Sequence, residues 1–235
     1  MPYTGGDTVS TALAAAYFYL SRYSPCYNRL ATEIRSTFTS AHEIRNGTKL
    51  ASCTYLRACI DETLRITPPI CTTLWRQLPE SDGKALVIDG QVIPPRTEVG
   101  VNIYTLHHNE IYFPDPFTFT PERWMIDASA TKEDKDRKKL MYDAFTPFSM
   151  GSRGCAGKAM AYQEISLALA KTLWYLDFEQ PANNIKTHRK GNTVGEGREK
   201  EFYVLDQFSS VHQGPNLTFR LRKGAREELI GTDDA

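Results

Sequence analysis

A ten-residue segment built around one cysteine constrains this chain more than any other part of its sequence. The segment runs from Phe148 to Gly157 and reads FSMGSRGCAG. Gly151 permits a sharp turn ahead of the cysteine, and Gly157 leaves no side chain beside it. The apolar, helix-forming run from Ala159 to Leu176 follows directly. Cys155 is therefore predicted at a helix N-terminus, where unpaired backbone N–H groups and the helix dipole favour a negatively charged sulfur.

The spacing F-x-x-G-x-R-x-C-x-G resembles the haem-ligand signature of the cytochrome P450 monooxygenases, with Phe148, Gly151, Arg153, Cys155 and Gly157 at its positions. The resemblance implies that Cys155 is the axial ligand of the iron in haem b (iron protoporphyrin IX). It also implies that Arg153 pairs with a haem propionate and that Gly157 leaves room for the flat macrocycle. A thiolate ligand pushes electron density onto iron and favours O–O cleavage. The alternative is an inert buried cysteine, which is the commoner fate of a free cysteine.

Two further motifs lie upstream of the cysteine segment. Glu62 and Arg65 belong to the run LASCTYLRACIDETLRI, whose helical apolar spacing ends at Pro68. They match the E-x-x-R motif of the same family, and Pro121–Trp124, PERW, matches its P-E-R-[FW] motif. The resemblance implies that Glu62, Arg65 and Arg123 form a buried structural ion cluster behind the cysteine loop. Without that context, an acid and a base three residues apart would be an exposed pair of little energetic value.

The chain begins with a fourth motif, Gly5-Gly6-Asp7-Thr8, ahead of a helix-like run. Two glycines weaken a helix and predict a local bulge or kink. In the family this segment crosses over the haem, which implies that Thr8 hydrogen-bonds dioxygen there and that Asp7 relays protons. The alternative is that Asp7 or Thr8 simply caps a helix. Thr4 departs from the family, which usually has Ala or Gly there, and Arg76 is similar in place to a propionate-binding arginine.

The predicted fold is mainly α with small β-sheets, and it resembles the C-terminal half of the cytochrome P450 fold, from the oxygen-groove helix to a C-terminal hairpin. Helical spacing predicts helices over 8–22, 26–39, 51–66 and 158–175, with a short one at 41–46. Strands are predicted at 86–88 and 91–93 around the turn Asp89-Gly90, at 72–77 and 97–102, and as a hairpin of 201–205 with 217–222.

Three polar stretches are predicted to lie outside these elements. Residues 131–139, TKEDKDRKK, are predicted to form a solvated loop, and the alternative is a docking site for an acidic electron-transfer partner. Residues 186–200 are predicted to form a polar loop. The pair His107-His108 is predicted to lie in a loop or at the surface, because no cysteine or histidine cluster completes a zinc site around it.

Composition excludes several classes of protein. The formal net charge is zero and the mean hydropathy is −0.43, so neither nucleic-acid binding nor an integral membrane protein is expected. No run of eighteen or more apolar residues is present, so no membrane span is expected in this chain. The five cysteines are irregularly spaced, which favours free thiols in a reducing compartment over disulfides.

The resemblance covers nearly the whole chain but only half of the family's fold. Residues 1–235 are therefore expected to form a single partial domain without the N-terminal half, which carries the membrane anchor and most substrate-contacting loops. A full-length relative would lie on the cytoplasmic face of the endoplasmic reticulum. The fragment is expected to hold haem poorly alone, since marginal stability leaves little reserve. Two explanations fit a partial domain of this kind: a truncated gene, or one half of a split enzyme.

The run from Asn102 to Trp124 most resembles microsomal P450 enzymes of fungal secondary metabolism. This implies a monooxygenase that inserts one atom of O2 into a small hydrophobic natural product. NADPH-cytochrome P450 reductase would then be the partner that supplies electrons from NADPH. The alternatives are a peroxygenase or isomerase that needs no reductase, a non-catalytic remnant, and a cysteine hydrolase, for which the sequence has no suitable histidine set.

Overall fold

The computed structural model describes residues 4–77, 85–125, 129–181, 193–194 and 200–230. Its α-helices are α1 (Thr4–Arg22), α2 (Ser24–Thr37), α3 (Thr48–Ala51), α4 (Thr54–Ile66), α5 (Ile103–His107), α6 (Lys132–Ala144), α7 (Lys158–Tyr175) and α8 (Ala225–Ile230). Short 3-10 turns lie at Ala41–Glu43, Pro121–Trp124 and Gly151–Arg153. The strands are β1 (Leu86–Ile88), β2 (Gln91–Ile93), β3 (Leu176–Glu179), β4 (Thr193–Val194), β5 (Val204–Leu205), β6 (Val211–His212) and β7 (Thr218–Leu221).

The core is formed by α1, α2, α4 and α7, which pack on one another. Each contributes apolar side chains at helical spacing, among them Ala15 and Tyr19 of α1, Ile34 of α2, Ile60 of α4 and Leu169 of α7, all essentially inaccessible to solvent. The prediction of a mainly helical fold with small sheets is confirmed. Within the described residues, no helix has both the length and the apolar character needed to cross a bilayer.

The predicted helix bounds agree best with the structure where one apolar pattern runs through the whole helix. Residues 158–175 coincide with α7, whereas the run predicted at 51–66 divides into α3 and α4 at Ser52 and Cys53. The helix predicted at 41–46 is a 3-10 turn, and α2 begins and ends two residues earlier than expected. The bulge expected at Gly5 and Gly6 is absent, because α1 continues through both glycines without interruption.

The charged segment 131–139 was predicted to be a loop, and this prediction is wrong. Thr131 accepts a hydrogen bond from the Asp134 N–H while the Asp134 carboxylate accepts from the Thr131 N–H, so a capping box begins α6. Further along the helix, Met141 and Ala144 are buried against Phe113 and Trp124. A capped first turn and a buried edge therefore stabilise an otherwise polar helix.

The C-terminal hairpin was also predicted with the wrong partners. Strand β7 pairs with β3, which follows α7 without a break, and β5 pairs with β4 and β6. The register places Phe178 opposite Phe219, and both rings contact Tyr17 of α1, at centroid distances of 5.3 and 6.2 Å. Packing against α1 therefore favours this pairing, since it places the Phe178 and Phe219 rings in contact with each other and with Tyr17.

The other strand predictions have mixed outcomes. The hairpin of β1 and β2 is confirmed, with Leu86 opposite Ile93. The segments 72–77 and 97–102 meet only through two isolated bridges, Thr73 with Asn102 and Arg76 with Val99. Most of the predicted polar loop 186–200 lies outside the described residues, and the prediction is wrong at Thr193–Val194, which form β4.

Candidate functional site

The segment from Phe148 to Gly157 forms a closed loop ahead of α7. Ser149 and Gly151 have φ of 58° and 66°, a left-handed conformation that turns the chain sharply. The Cys155 N–H donates to the Phe148 carbonyl at 2.9 Å and closes the loop. Helix α7 begins at Lys158, three residues further on. The loop leaves Cys155 exposed, whereas the other four cysteines are buried.

Cys155 faces a cavity of about 910 Å³ that several separate segments of the chain line. Of the predicted site residues, the lining includes Thr8, Arg76, Phe148, Arg153, Cys155 and Gly157. Much of the remaining wall is apolar, with Val9, Ala12, Leu64, Ile70, Ile165 and Phe208. A neighbouring cavity of about 1110 Å³ shares Arg76 and Arg153, but Cys155 is not among its described lining residues. The smaller cavity is therefore the candidate site.

Asp7 and Thr8, the acid and the alcohol of the fourth motif, have different surroundings. Thr8 lines the cavity, and its hydroxyl donates to the Gly5 carbonyl at 3.1 Å. Asp7 is exposed in the first turn of α1, and the cavity lining does not include it. Because α1 begins at Thr4, both residues lie inside the helix, so the N-cap interpretation of Asp7 and Thr8 is wrong.

The residues at the cavity fit a haem. A methyl group added at Gly157 would lie 3.8 Å from the Cys155 sulfur, an ordinary contact, so packing within the protein does not require glycine there. Glycine instead keeps the space in front of the sulfur open for a flat ligand. A sulfur ligand, two guanidinium groups from Arg76 and Arg153, and apolar walls together match iron, propionates and a porphyrin face.

The predicted ion cluster forms around Glu62, which solvent does not reach. Its two oxygens accept from Arg65 Nε and Nη2, both at 2.9 Å, in a bidentate pair. Arg123 Nε donates to Oε1 at 3.0 Å. Arg65 also donates to the carbonyls of His107 and Pro116, at 3.0 and 2.7 Å. The cluster thereby joins α4 to the segment that precedes the cysteine loop.

Sequence reasoning missed two further partners of Glu62. The Trp124 Nε1–H and the Thr120 N–H donate to its carboxylate, each at 2.9 Å. Burial alone would raise the pKa of Glu62, but Arg65, Arg123 and the Thr120 N–H outweigh it and hold the pKa below its usual value. The tryptophan that ends PERW was the available signal, because a buried indole N–H needs an acceptor.

His107 was predicted to lie in a loop or at the surface, and this prediction is wrong. It lies fully buried at the end of α5. Its Nδ1 contacts the Arg65 carbonyl at 3.2 Å, and its Nε2 accepts from the Thr146 N–H at 3.0 Å. Burial, with Arg65 and His108 nearby, lowers the pKa of His107 to about 3. Neutral His107 therefore ties α4 to Thr146, just ahead of the cysteine loop.

Comparison with known proteins agrees with this geometry. The family model described as Cytochrome P450 matches residues 3–203. The chain is 42% identical over 219 residues to Cytochrome P450 monooxygenase AKT7 of Alternaria alternata, covering 92% of this chain and 41% of the relative. It is 42% identical over 220 residues to Cytochrome P450 monooxygenase apf8 of Gibberella fujikuroi, covering 93% and 58%.

A third relative, Cytochrome P450 monooxygenase lcsN of Purpureocillium lilacinum, is 38% identical over 220 residues, covering 93% of this chain and 62% of the relative. The chain thus spans about half the length of the curated relatives it matches. The family model covers most of the chain, and Cys155 with Phe148, Arg153 and Gly157 of its segment lines one cavity. This chain belongs to the cytochrome P450 family.

Proposed function

We propose that this chain is the cysteine-bearing, haem-binding half of a monooxygenase that inserts one atom of O2 into a small hydrophobic natural product. The observation that carries the proposal is the exposure of Cys155 at a cavity that also takes in Thr8, Arg76 and Arg153. In this proposal residues 1–235 act as one unit, and a further segment completes the distal side of the cavity.

Three residues would hold the haem. Cys155 would ligate the iron through its sulfur, and the guanidinium groups of Arg76 and Arg153 would pair with the propionates. Arginine suits this role because its planar fork matches a carboxylate with two parallel hydrogen bonds. A thiolate-ligated haem supplies dioxygen activation by favouring O–O cleavage.

Asp7 and Thr8 would handle protons in this proposal. Asp7 is exposed, so its carboxylate is in contact with water. Thr8 lines the cavity, and because a hydroxyl both accepts and donates, its Oγ1 would pass a proton inward. Asp7 would act as the general acid, and Thr8 would relay its proton. The two residues are adjacent in α1, one at solvent and one at the cavity.

The apolar wall favours a hydrophobic substrate. Val9, Ile70 and Phe208 contribute apolar side chains to the wall of the cavity that Cys155 lines. Matching relatives are named as monooxygenases from filamentous fungi, which supports a place in fungal secondary metabolism. The electrons would come from NADPH through NADPH-cytochrome P450 reductase.

Spectroscopy tests the ligand assignment. The chain is produced alone and, separately, together with the amino-terminal portion of a full-length relative, and each preparation is loaded with hemin, reduced and exposed to carbon monoxide. We expect the red-shifted Soret band of thiolate ligation in at least one preparation, and its loss in Cys155→Ala. Cys26→Ala, which removes a buried thiol of α2, should retain the band. Absence of the band from both wild-type preparations contradicts the proposal.

A further inference from the structure

A second acid of α4 makes contacts quite different from those of its neighbour Glu62. Asp61 is buried, and its Oδ1 accepts a hydrogen bond from the Tyr162 hydroxyl of α7 at 2.6 Å. Its other oxygen, Oδ2, accepts from Arg57 Nε at 2.8 Å. The Arg57 guanidinium lies over the Tyr162 ring, 3.7 Å from its centroid. Asp61 and Arg57 thus hold the tyrosine by its hydroxyl and by its face.

This cluster contacts the cysteine loop through an aromatic pair. The Tyr162 ring packs against the Phe148 ring at a centroid distance of 5.2 Å. The Phe148 carbonyl in turn accepts the Cys155 N–H at 2.9 Å. A continuous series of contacts therefore runs from the Asp61 carboxylate to the backbone of the ligand residue.

Asp61 and Tyr162 are chemically suited to a stable hydrogen bond. Burial and the nearby Asp61 carboxylate raise the pKa of Tyr162, so its hydroxyl remains a donor. Burial also raises the pKa of Asp61, and Arg57 opposes that change. A hydrogen bond from a hydroxyl to a carboxylate is shorter and stronger than one between neutral groups. Neither residue lines the cavity, and Phe148 is the contact through which the pair reaches the cysteine loop.

We propose that the Asp61–Tyr162 hydrogen bond is a positioning device for the haem ligand: it holds the Phe148 ring, and through the Phe148 carbonyl it sets the orientation of Cys155. The inference rests on the proposed haem-thiolate function. Asp61 and Tyr162 are positioning residues, since neither touches the cavity. Glu62, the next residue of α4, stabilises the fold. Asp61 instead keeps the Cys155 sulfur directed at the iron.

Three single substitutions test this. Tyr162→Phe removes the hydroxyl but keeps the ring that packs on Phe148, and Asp61→Asn keeps an acceptor oxygen but removes the charge. Tyr17→Phe is the matched control, because its hydroxyl also bonds to α7, at Thr172 Oγ1 with a distance of 2.7 Å, but on a part of the helix remote from the loop. All three variants are compared with the parent chain for folding by circular dichroism.

The first measurement needs no haem. Amide hydrogen exchange of the 148–157 loop is followed in the haem-free chain. We expect exchange at the Cys155 amide to be about tenfold faster in Tyr162→Phe, the scale of a lost charge-assisted hydrogen bond, and unchanged in Tyr17→Phe. Equal exchange in the two tyrosine variants would overturn the inference.

The second measurement is spectroscopic. In the hemin-loaded, reduced and carbon-monoxide-bound protein, the fraction with a thiolate Soret band should fall in Tyr162→Phe and, to a smaller extent, in Asp61→Asn, with Tyr17→Phe like the parent. A fall in all three variants alike would indicate general destabilisation and contradict positioning. If the parent itself lacks the thiolate band, the proposed function fails, while the exchange comparison still decides the role of the Asp61–Tyr162 pair.

Discussion

Glu62 and Arg65 meet in a bidentate ion pair that solvent does not reach, with both Nε–Oε2 and Nη2–Oε1 distances at 2.9 Å. The pair lies within one helix, but each partner is completed by groups far along the chain. Arg123 and Trp124 complete Glu62, and the carbonyls of His107 and Pro116 complete Arg65. The pair therefore holds α4 against residues 107–124, upstream of α6 and the cysteine loop.

Glu62→Gln should destabilise the fold strongly. The substitution leaves the buried charge of Arg65 without its partner, at a cost of about 3–5 kcal/mol in the free energy of unfolding. Denaturant unfolding measures the loss. Glu110→Gln, at an exposed glutamate, is the control and should change stability by less than about 0.5 kcal/mol. Similar stabilities for the two variants would contradict the assignment.

His107 should make the fold sensitive to mild acid. Its pKa of about 3 in the folded chain lies below the unfolded value of 6.5, so the unfolded state binds the extra proton between these pH values. Stability contributed by neutral His107 is complete above pH 6.5 and falls by about 1.4 kcal/mol per pH unit as pH drops towards the folded pKa.

This pH dependence is measured by denaturant unfolding between pH 6.5 and 5, where most carboxylates remain ionised. His107→Gln should be less stable than the wild type at pH 7 but should show a flatter curve. His42→Gln, at an exposed histidine, should retain the wild-type slope. A wild-type slope in His107→Gln would show that another group is responsible.

Gly157→Ala should separate folding from haem binding. The added methyl group would make only an ordinary contact, 3.8 Å from the Cys155 sulfur, so the haem-free chain should lose less than about 1 kcal/mol of stability. The same methyl group would occupy space meant for the porphyrin, and overpacking of this kind should weaken hemin binding about tenfold.

Gly151→Ala provides the contrast. With φ of 66° at Gly151, alanine there is strained, and the haem-free chain should lose about 1–2 kcal/mol. Hemin titration and thermal unfolding of both variants distinguish the two effects. Unimpaired hemin binding by Gly157→Ala would contradict the placement of the ring at this glycine.

Thr131→Ala should loosen α6 without affecting the core. The substitution removes the side-chain oxygen that accepts the Asp134 N–H, which costs about 0.5–2 kcal/mol. Amide exchange in the first turns of α6 should become faster, while exchange in α7 stays unchanged. Lys135→Ala, on an exposed position of the same helix, should leave the exchange near wild type. Equal exchange in both variants would argue against the cap.

Sequence reasoning succeeded where the controlling interactions are local. The β1–β2 hairpin follows from Asp89 and Gly90, whose φ of 47° and 75° are those that such a turn requires. Helix α6 carried a local signal too, since Thr131 and Asp134 are spaced as a capping box. The high charge of the segment led to its prediction as a loop, although charge alone does not prevent a helix with one buried edge.

Other features had no local signal. The burial of His107 depends on the Arg65 carbonyl, 42 residues away, and the partner of β7 depends on the Phe178 ring already packed on α1. A one-dimensional pattern reports the period and the turn residues of an element, but not which distant surface it meets. The same limit hid the Asp61–Tyr162 bond, which joins residues 101 positions apart.

The amino-acid sequence by itself determined the family, the cysteine that its signature marks, and the acid and base that pair on α4, because these depend on residue type at short fixed spacing. Only the tertiary structure decided which groups complete Glu62, that His107 is buried, and that Tyr162 joins Asp61 to the cysteine loop. The physical reason is that burial and charge compensation depend on neighbours in space, and the packing of α1, α4 and α7 brings those neighbours together.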